Sequence, residues 1–196
     1  MGFPARTSLG DRAVLVPVKR FADAKRRLDG VLSGAAREAL ARRMAERVLQ
    51  AAAPLPVAVV CDDAGVAGWA RSLGALVIWE PGRGLNGAVE EGVRRLEAMA
   101  VRRVVVAHGD LPLASGLADL DRSTGVTLVP DRRGDGTNVI ELPTDSGFRF
   151  SYGPGSFERH RAECERLGLA CRVMRVPWLS YDVDVPGDLT PPAIAD

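Results

Sequence analysis

Asp110 follows the β-branched run "RVVVA" (103–107) by three residues, inside the stretch "HGDLPL". A carboxylate at the end of a buried strand is costly unless it is paired or holds a cation. Two more carboxylates, Asp182 and Asp184, stand two residues apart in "YDVDVPGDL" (181–189). In an extended chain, side chains at i and i+2 point to the same face. Like charges side by side repel, and a cation between them relieves the repulsion. Hard oxygen ligands suit Mg²⁺, which keeps several waters and binds phosphate oxygens as well. Asp188, at the end of the same stretch, reads as a cap or turn residue. An Asp-x-Asp pair is a weak signal alone. Joined to a strand-end aspartate and a basic loop after the first strand, it points to nucleotidyl chemistry.

That basic loop is "PVKRFADAKRRL" (17–28). Lys19, Lys25, Arg26 and Arg27 cluster there and can grip a polyphosphate; a solvated helix start fits the same residues. The GxxxxGK[ST] spacing of a P-loop is absent. In "GRGLNGA" (82–88) the glycines permit close backbone approach, and Asn86 can reach a base or ribose, or simply cap a helix. "GDGTN" (134–138) and "YGPGSF" (152–157) are Gly-rich, and they offer the hydroxyls of Thr137 and Ser156. Ser156 falls where a helix begins, and helix N-termini bind phosphate through free N–H groups. Taken singly, Thr137 reads as a turn residue and Ser156 as an N-cap; taken together, they make two phosphate-sized anchors beside a metal site. The histidines, His108 and His160, read as structural or supporting groups. The tryptophans at 69, 79 and 178 read as core.

The elements that must position these residues alternate. Strands are expected at 13–18, 57–61, 75–79 and 103–107. Helices lie between them, the first capped by Ser33 and running to about Ala52, with Ala36, Leu40, Met44 and Val48 on its apolar stripe. "AGVAGWARSL" and "NGAVEEGVRRLEAMA" supply the next two, and "EPGRGL" is a loop. Continuous apolar strands imply a parallel sheet covered on both faces. The second half adds short strands at "VTLVP", "NVIEL", "FRF" and "CRVMRV", with a helix near 156–167. The expectation is one α/β domain over 1–196: a mixed, mostly parallel, Rossmann-like sheet with helices on both faces. Residues 1–10 and 190–196 read as loose ends. Ligands of such sheets bind beyond the carboxyl ends of the strands.

Composition narrows the field. The 196 residues carry a formal charge of +1, which argues against a general nucleic-acid surface. No apolar run approaches a membrane span, and the first residues lack the apolar core of a signal peptide. Cys61, Cys164 and Cys171 show no metal or disulfide spacing, so the cytoplasm is expected, with core thiols.

The set "PVKRFADAKRRL", "LNGAVEEG", "HGDLPL", "PDRRGDGTNV", "FSYGPGSFERH" and "DVDVPGDL" resembles the guanylyltransferases of deazaflavin coenzyme F-420 biosynthesis, in order and over residues 13–189. The resemblance implies a single-domain nucleotidyltransferase that joins GMP from GTP to phosphoenolpyruvate, or to 2-phospho-L-lactate, and releases pyrophosphate. It implies Mg²⁺ on Asp110, Asp182 and Asp184, and the acceptor on Thr137, Gly153 and Ser156. GTP would lie beside Pro17, Lys19, Lys25, Leu85 and Asn86, with Lys19, Lys25 and Asp110 catalytic. A downstream transferase for the deazaflavin precursor is the implied partner. One departure is Asp135, where the pattern leads one to expect a second glycine beside Gly136. A molybdenum-cofactor guanylyltransferase is disfavoured, because its Gly-rich loop after strand one is missing. A non-catalytic nucleotide-binding module is disfavoured by the charged triad.

Overall fold

The computed structural model describes residues 9–120 and 124–190. Seven strands form one sheet in the order β3-β2-β1-β4-β6-β5-β7. They are β1 (Arg12–Pro17), β2 (Val57–Cys61), β3 (Leu76–Trp79), β4 (Arg103–Ala107), β5 (Val126–Pro130), β6 (Thr137–Pro143) and β7 (Cys171–Val173). β1 runs parallel to β2 and β4, β2 parallel to β3, and β5 parallel to β7; β6 runs antiparallel to both of its neighbours.

The helices are α1 (Gly34–Ala51), α2 (Ala64–Ser72), α3 (Gly84–Ala98), α4 (Ser156–Leu167) and the short α5 (Pro177–Ser180). Alternate residues of each central strand feed opposite faces. Val14, Val16, Val59 and Val105 meet α1 and α2, through Ala45, Val48, Val66 and Ala70. Leu15, Val60, Val104 and Val106 meet α3 and α4, through Val89, Leu96, Phe157 and Cys164. Gly92 lets α3 approach the sheet, since a Cβ there would stand 2.6 Å from a Leu15 methyl. Ser33 caps α1 by accepting the Ala36 amide.

Three local readings change. "FRF" is not a strand: the Arg149 amide donates to the Glu163 carboxylate and the Ser151 amide to His160, so this backbone is satisfied by α4 side chains. Of "CRVMRV" only Cys171–Val173 pairs. Helix α3 begins at Gly84, which draws Gly84 and Leu85 out of the expected loop. Among the expected core residues, Trp69 is buried, whereas Trp79 is 48% and Trp178 40% exposed. Cys61 and Cys164 are core thiols, and Cys171 is exposed. Of the loose ends expected at 1–10 and 190–196, residues 1–8 and 191–196 lie outside the described residues, and Leu9 packs against the α3 face of the sheet. No helix among the described residues is long and apolar enough to cross a membrane.

Candidate active site

The chain leaves β1 for β2 on one side and later returns to β4 on the other. The topological switch point of the sheet therefore lies between the carboxyl ends of β1 and β4, where such sheets bind ligands. A cleft of about 320 Å³ opens there, lined by Pro17, Lys19, Lys25, Leu85, His108 and Asp110 among others. A second lobe of about 280 Å³ continues it toward β2, with Pro17, Lys19 and Leu85 again in its wall. Four of the five expected nucleotide residues thus share one cleft.

Asn86 does not line it. Its side-chain oxygen accepts the Tyr152 amide at 2.7 Å. Asn86 ties the first turn of α3 to the segment that carries Gly153 and Ser156. Sequence could not show this link, because the two residues are 66 positions apart.

Lys25 is the partner that Asp110 requires. Its ammonium lies 2.6 Å from Asp110 Oδ2 and 3.0 Å from Asp184 Oδ1. Burial pulls the lysine pKa down, but the two carboxylates outweigh it and hold the pKa above the ordinary lysine value. Burial likewise pushes Asp110 up, and Lys25 outweighs it, leaving that carboxyl below the usual range. Lys25 also adopts φ 55°, in the left-handed region. A non-glycine residue there stores on the order of 1–3 kcal/mol of strain, and such residues cluster at functional sites.

Asp182 is 8% exposed, and its carboxyl is raised by burial and then by the negative charges of Asp110 and Asp184. The DVDVP segment is extended, outside the sheet, and fixed by Asp188. That carboxylate accepts the Asp184 and Val185 amides at 2.8 and 2.9 Å and pairs with Arg132, whose guanidinium also donates to the Asp182 carbonyl. The same Arg132 lies over the Tyr181 ring. Asp188 is thus the turn residue expected, and Arg132 is the partner that sequence did not reveal.

The fit of a divalent cation can be tested on the oxygens themselves. Asp110 Oδ1 and Asp182 Oδ1 are buried acceptors with no hydrogen-bond partner. Orphaned carboxylate oxygens in a partly buried acidic site suit a hard cation. Among the described residues, however, no three metal-ligating side chains already stand close enough to hold an ion. In this arrangement the Lys25 ammonium bridges two of the carboxylates instead.

Thr137 and Ser156 meet directly: the Thr137 amide donates to Ser156 Oγ at 3.1 Å, and each residue is 2% exposed. Ser156 is the first residue of α4 and not its cap; Gly155, at φ 70°, precedes the helix. The Ser156 and Phe157 amides are taken by Gly153 O and Asp135 O, so these two amides are not free for an anion. The Gly-rich loop before Thr137 is built on Asp131, whose carboxylate accepts the amides of residues 133, 135 and 136. A Cβ at Gly136 would stand 2.8 Å from that carboxylate, which explains the glycine. Gly134 carries the positive φ and Asp135 does not, so the loop closes with an aspartate at 135. An aspartate heading a Gly-rich turn is a readable signal for such a cradle.

His160 is fully buried against this pair. Burial, and then the positive charge of Arg159, lower its pKa from 6.5 to about 4. The unfolded chain thus binds a proton that the native chain refuses between those values, so stability is full above about pH 6.5 and falls as the pH drops toward 4. The fall should approach roughly 3 kcal/mol. In urea titrations at several pH values, His160→Gln should remove most of this slope; an unchanged slope would rule out His160 as its source.

The mixed sheet carries an acidic, lysine-bridged cleft at its switch point, and with the family and relatives that follow this makes the chain a nucleotidyltransferase. A nucleotidyl transferase from Methanothermobacter thermautotroptrophicus shares the fold, with a TM-score of 0.64 at 16% identity, over 92% of this chain and 94% of that one. The chain belongs to the family described as "Guanylyl transferase CofC like", which it matches over residues 12–193. The phosphoenolpyruvate guanylyltransferase of Conexibacter woesei is 38% identical, over 89% of this chain and 84% of the relative. That of Rubrobacter xylanophilus is 37% identical, over 89% and 90%.

Proposed function

We propose that the protein transfers the guanylyl group of GTP to phosphoenolpyruvate in deazaflavin coenzyme F-420 biosynthesis, in the cytoplasm. The observation that carries this reading is the Lys25 ammonium held between Asp110 and Asp184 at the β1/β4 switch point. A phosphate oxygen of the acceptor attacks the α-phosphorus of GTP, the bond to the β-phosphate breaks, and pyrophosphate leaves. The acceptor is already anionic, so no general base is required. Lys19 and Lys25 face the polyphosphate and offset the charge that develops on the leaving group. Mg²⁺, held by Asp110, Asp182 and Asp184, would supply the remaining charge compensation. The orphaned oxygens of Asp110 and Asp182 support that assignment. Thr137, Gly153 and Ser156 hold the acceptor phosphate, and the shielded position of the two hydroxyls strengthens their hydrogen bonds to it.

Ser156→Ala should weaken phosphoenolpyruvate binding by about 1–2 kcal/mol, roughly tenfold in KM, with the KM for GTP unchanged. Steady-state kinetics with each substrate varied in turn decide this. A rise in the GTP KM alone would reverse the two subsites. Competition between phosphoenolpyruvate and 2-phospho-L-lactate at limiting enzyme tests the acceptor, and preferential consumption of phospholactate would replace it.

A further inference from the structure

Two protein hydroxyls serve an anion only if their protons point at it, and a hydroxyl is free to turn. The hydrogen bonds around His160 and Thr137 narrow that freedom. The Ser151 amide donates to His160 Nε2 at 3.0 Å. An N–H can donate only to a bare ring nitrogen, so Nε2 carries no proton. The neutral ring then has its proton on Nδ1, which lies 3.0 Å from Thr137 Oγ1. An imidazolium, or the other tautomer, would set two N–H groups against each other at Ser151. Nδ1–H therefore donates to the Thr137 hydroxyl oxygen, and the Thr137 amide donates to the Ser156 hydroxyl oxygen. Each oxygen already receives one proton, so each hydroxyl's own proton is directed elsewhere.

We infer that His160 is a positioning residue for the acceptor phosphate: it fixes the Thr137 hydroxyl as a donor and, with the Thr137 amide, turns the Thr137–Ser156 pair into a two-proton anion clamp. The inference rests on the reading of Thr137 and Ser156 as the acceptor subsite. It goes further by assigning the direction of each hydrogen bond and the residue that sets it.

The ring cannot turn to escape this role. Tyr152 packs edge-on at 5.0 Å between ring centroids, and Phe148 and Phe150 lie at 5.7 and 6.5 Å. These aromatics are the "FRF" and "YGPGSF" residues that leave the sheet to cover α4. Arg159, one residue before His160, donates to the Ser151 and Pro154 carbonyls and pins the same loop from outside. The loop, the ring and the two hydroxyls thus form one assembly. A phosphate reaching it would meet two donors set in advance, which lowers the reorganisation needed on binding.

The test combines a spectroscopic and a kinetic arm on the intact enzyme. Long-range ¹H–¹⁵N spectra of the histidine rings should show His160 with Nδ1 protonated and Nε2 bare at pH 7; the reverse tautomer would overturn the inference. His160→Phe fills the aromatic pocket without either nitrogen, and it should raise the KM for phosphoenolpyruvate about tenfold while the KM for GTP stays within about twofold. His160→Gln, which again offers an acceptor and a donor, should recover much of the acceptor affinity, and it stands in should the phenylalanine variant fail to fold. If Thr137→Val raises the acceptor KM but neither His160 variant does, His160 merely packs and the inference falls alone. If Thr137→Val and Ser156→Ala raise only the KM for GTP, the subsite reading falls first and takes the inference with it.

Discussion

Asp110→Asn is expected to fold normally and to lose guanylyl transfer by more than about 100-fold, the upper end of what losing even an outer partner of a metal ligand costs. The change keeps the shape of the side chain and removes one charge. Lys25 would still pair with Asp184, 3.0 Å away, so the cleft retains a partner for its buried ammonium. What goes is a carboxylate whose second oxygen is buried and unpartnered, the oxygen that the proposed Mg²⁺ would take. Pyrophosphate release at saturating Mg²⁺, beside a thermal melt of the same variant, makes the measurement. Turnover within a few-fold of the wild type would remove Asp110 from the reaction.

The second large effect falls on Lys25, and it has two opposite signs. Lys25→Ala should reduce turnover by about 100-fold or more, the scale of removing one donor aimed at developing charge. The same variant should bind Mg²⁺ more tightly in the absence of nucleotide. The ammonium engages Asp110 Oδ2 and Asp184 Oδ1, so under the proposed Mg²⁺ assignment it would compete with the divalent ion for those oxygens. Its removal leaves three carboxylates with less positive charge among them. Calorimetric titration with Mg²⁺ alone reads the second effect. Equal or weaker Mg²⁺ binding in the variant would separate the lysine from the cation site.

The parts of the site legible in sequence were those set by local chemistry. Asp110 is legible because a carboxylate at a strand end needs a partner, and Lys25 is that partner. The alternation of apolar strands and helices gave the parallel half of the sheet, and the strand order then put the switch point at β1 and β4. What stayed hidden depends on contacts between distant segments. The resemblance singles out Lys25 with Lys19, but only folding across 85 and 159 positions brings it to Asp110 and Asp184. Arg132 and Asp188 are 56 residues apart, and no periodicity links them. "FRF" carried a strand's composition, yet α4 side chains took up its amides. Ser156 was expected where a helix begins, but its hydroxyl turns to Thr137 and leaves the capping position to Gly155. His160 reads in sequence as a structural or supporting group, and its burial agrees with that; only the donor facing Nε2 and the hydroxyl oxygen facing Nδ1 give the ring a direction.

Guanylyl transfer itself is read by ³¹P NMR of the product. Wild-type protein incubated with GTP, phosphoenolpyruvate and Mg²⁺ should convert the three GTP resonances into those of pyrophosphate and of a new phosphoanhydride. Two coupled phosphorus atoms in the new species, one from GMP and one from the acid, would mark the guanylylated product. Omitting either the acid or Mg²⁺ should stop the reaction. GTP left intact in the complete mixture, or pyrophosphate released without an acceptor, would rule out guanylyl transfer to phosphoenolpyruvate.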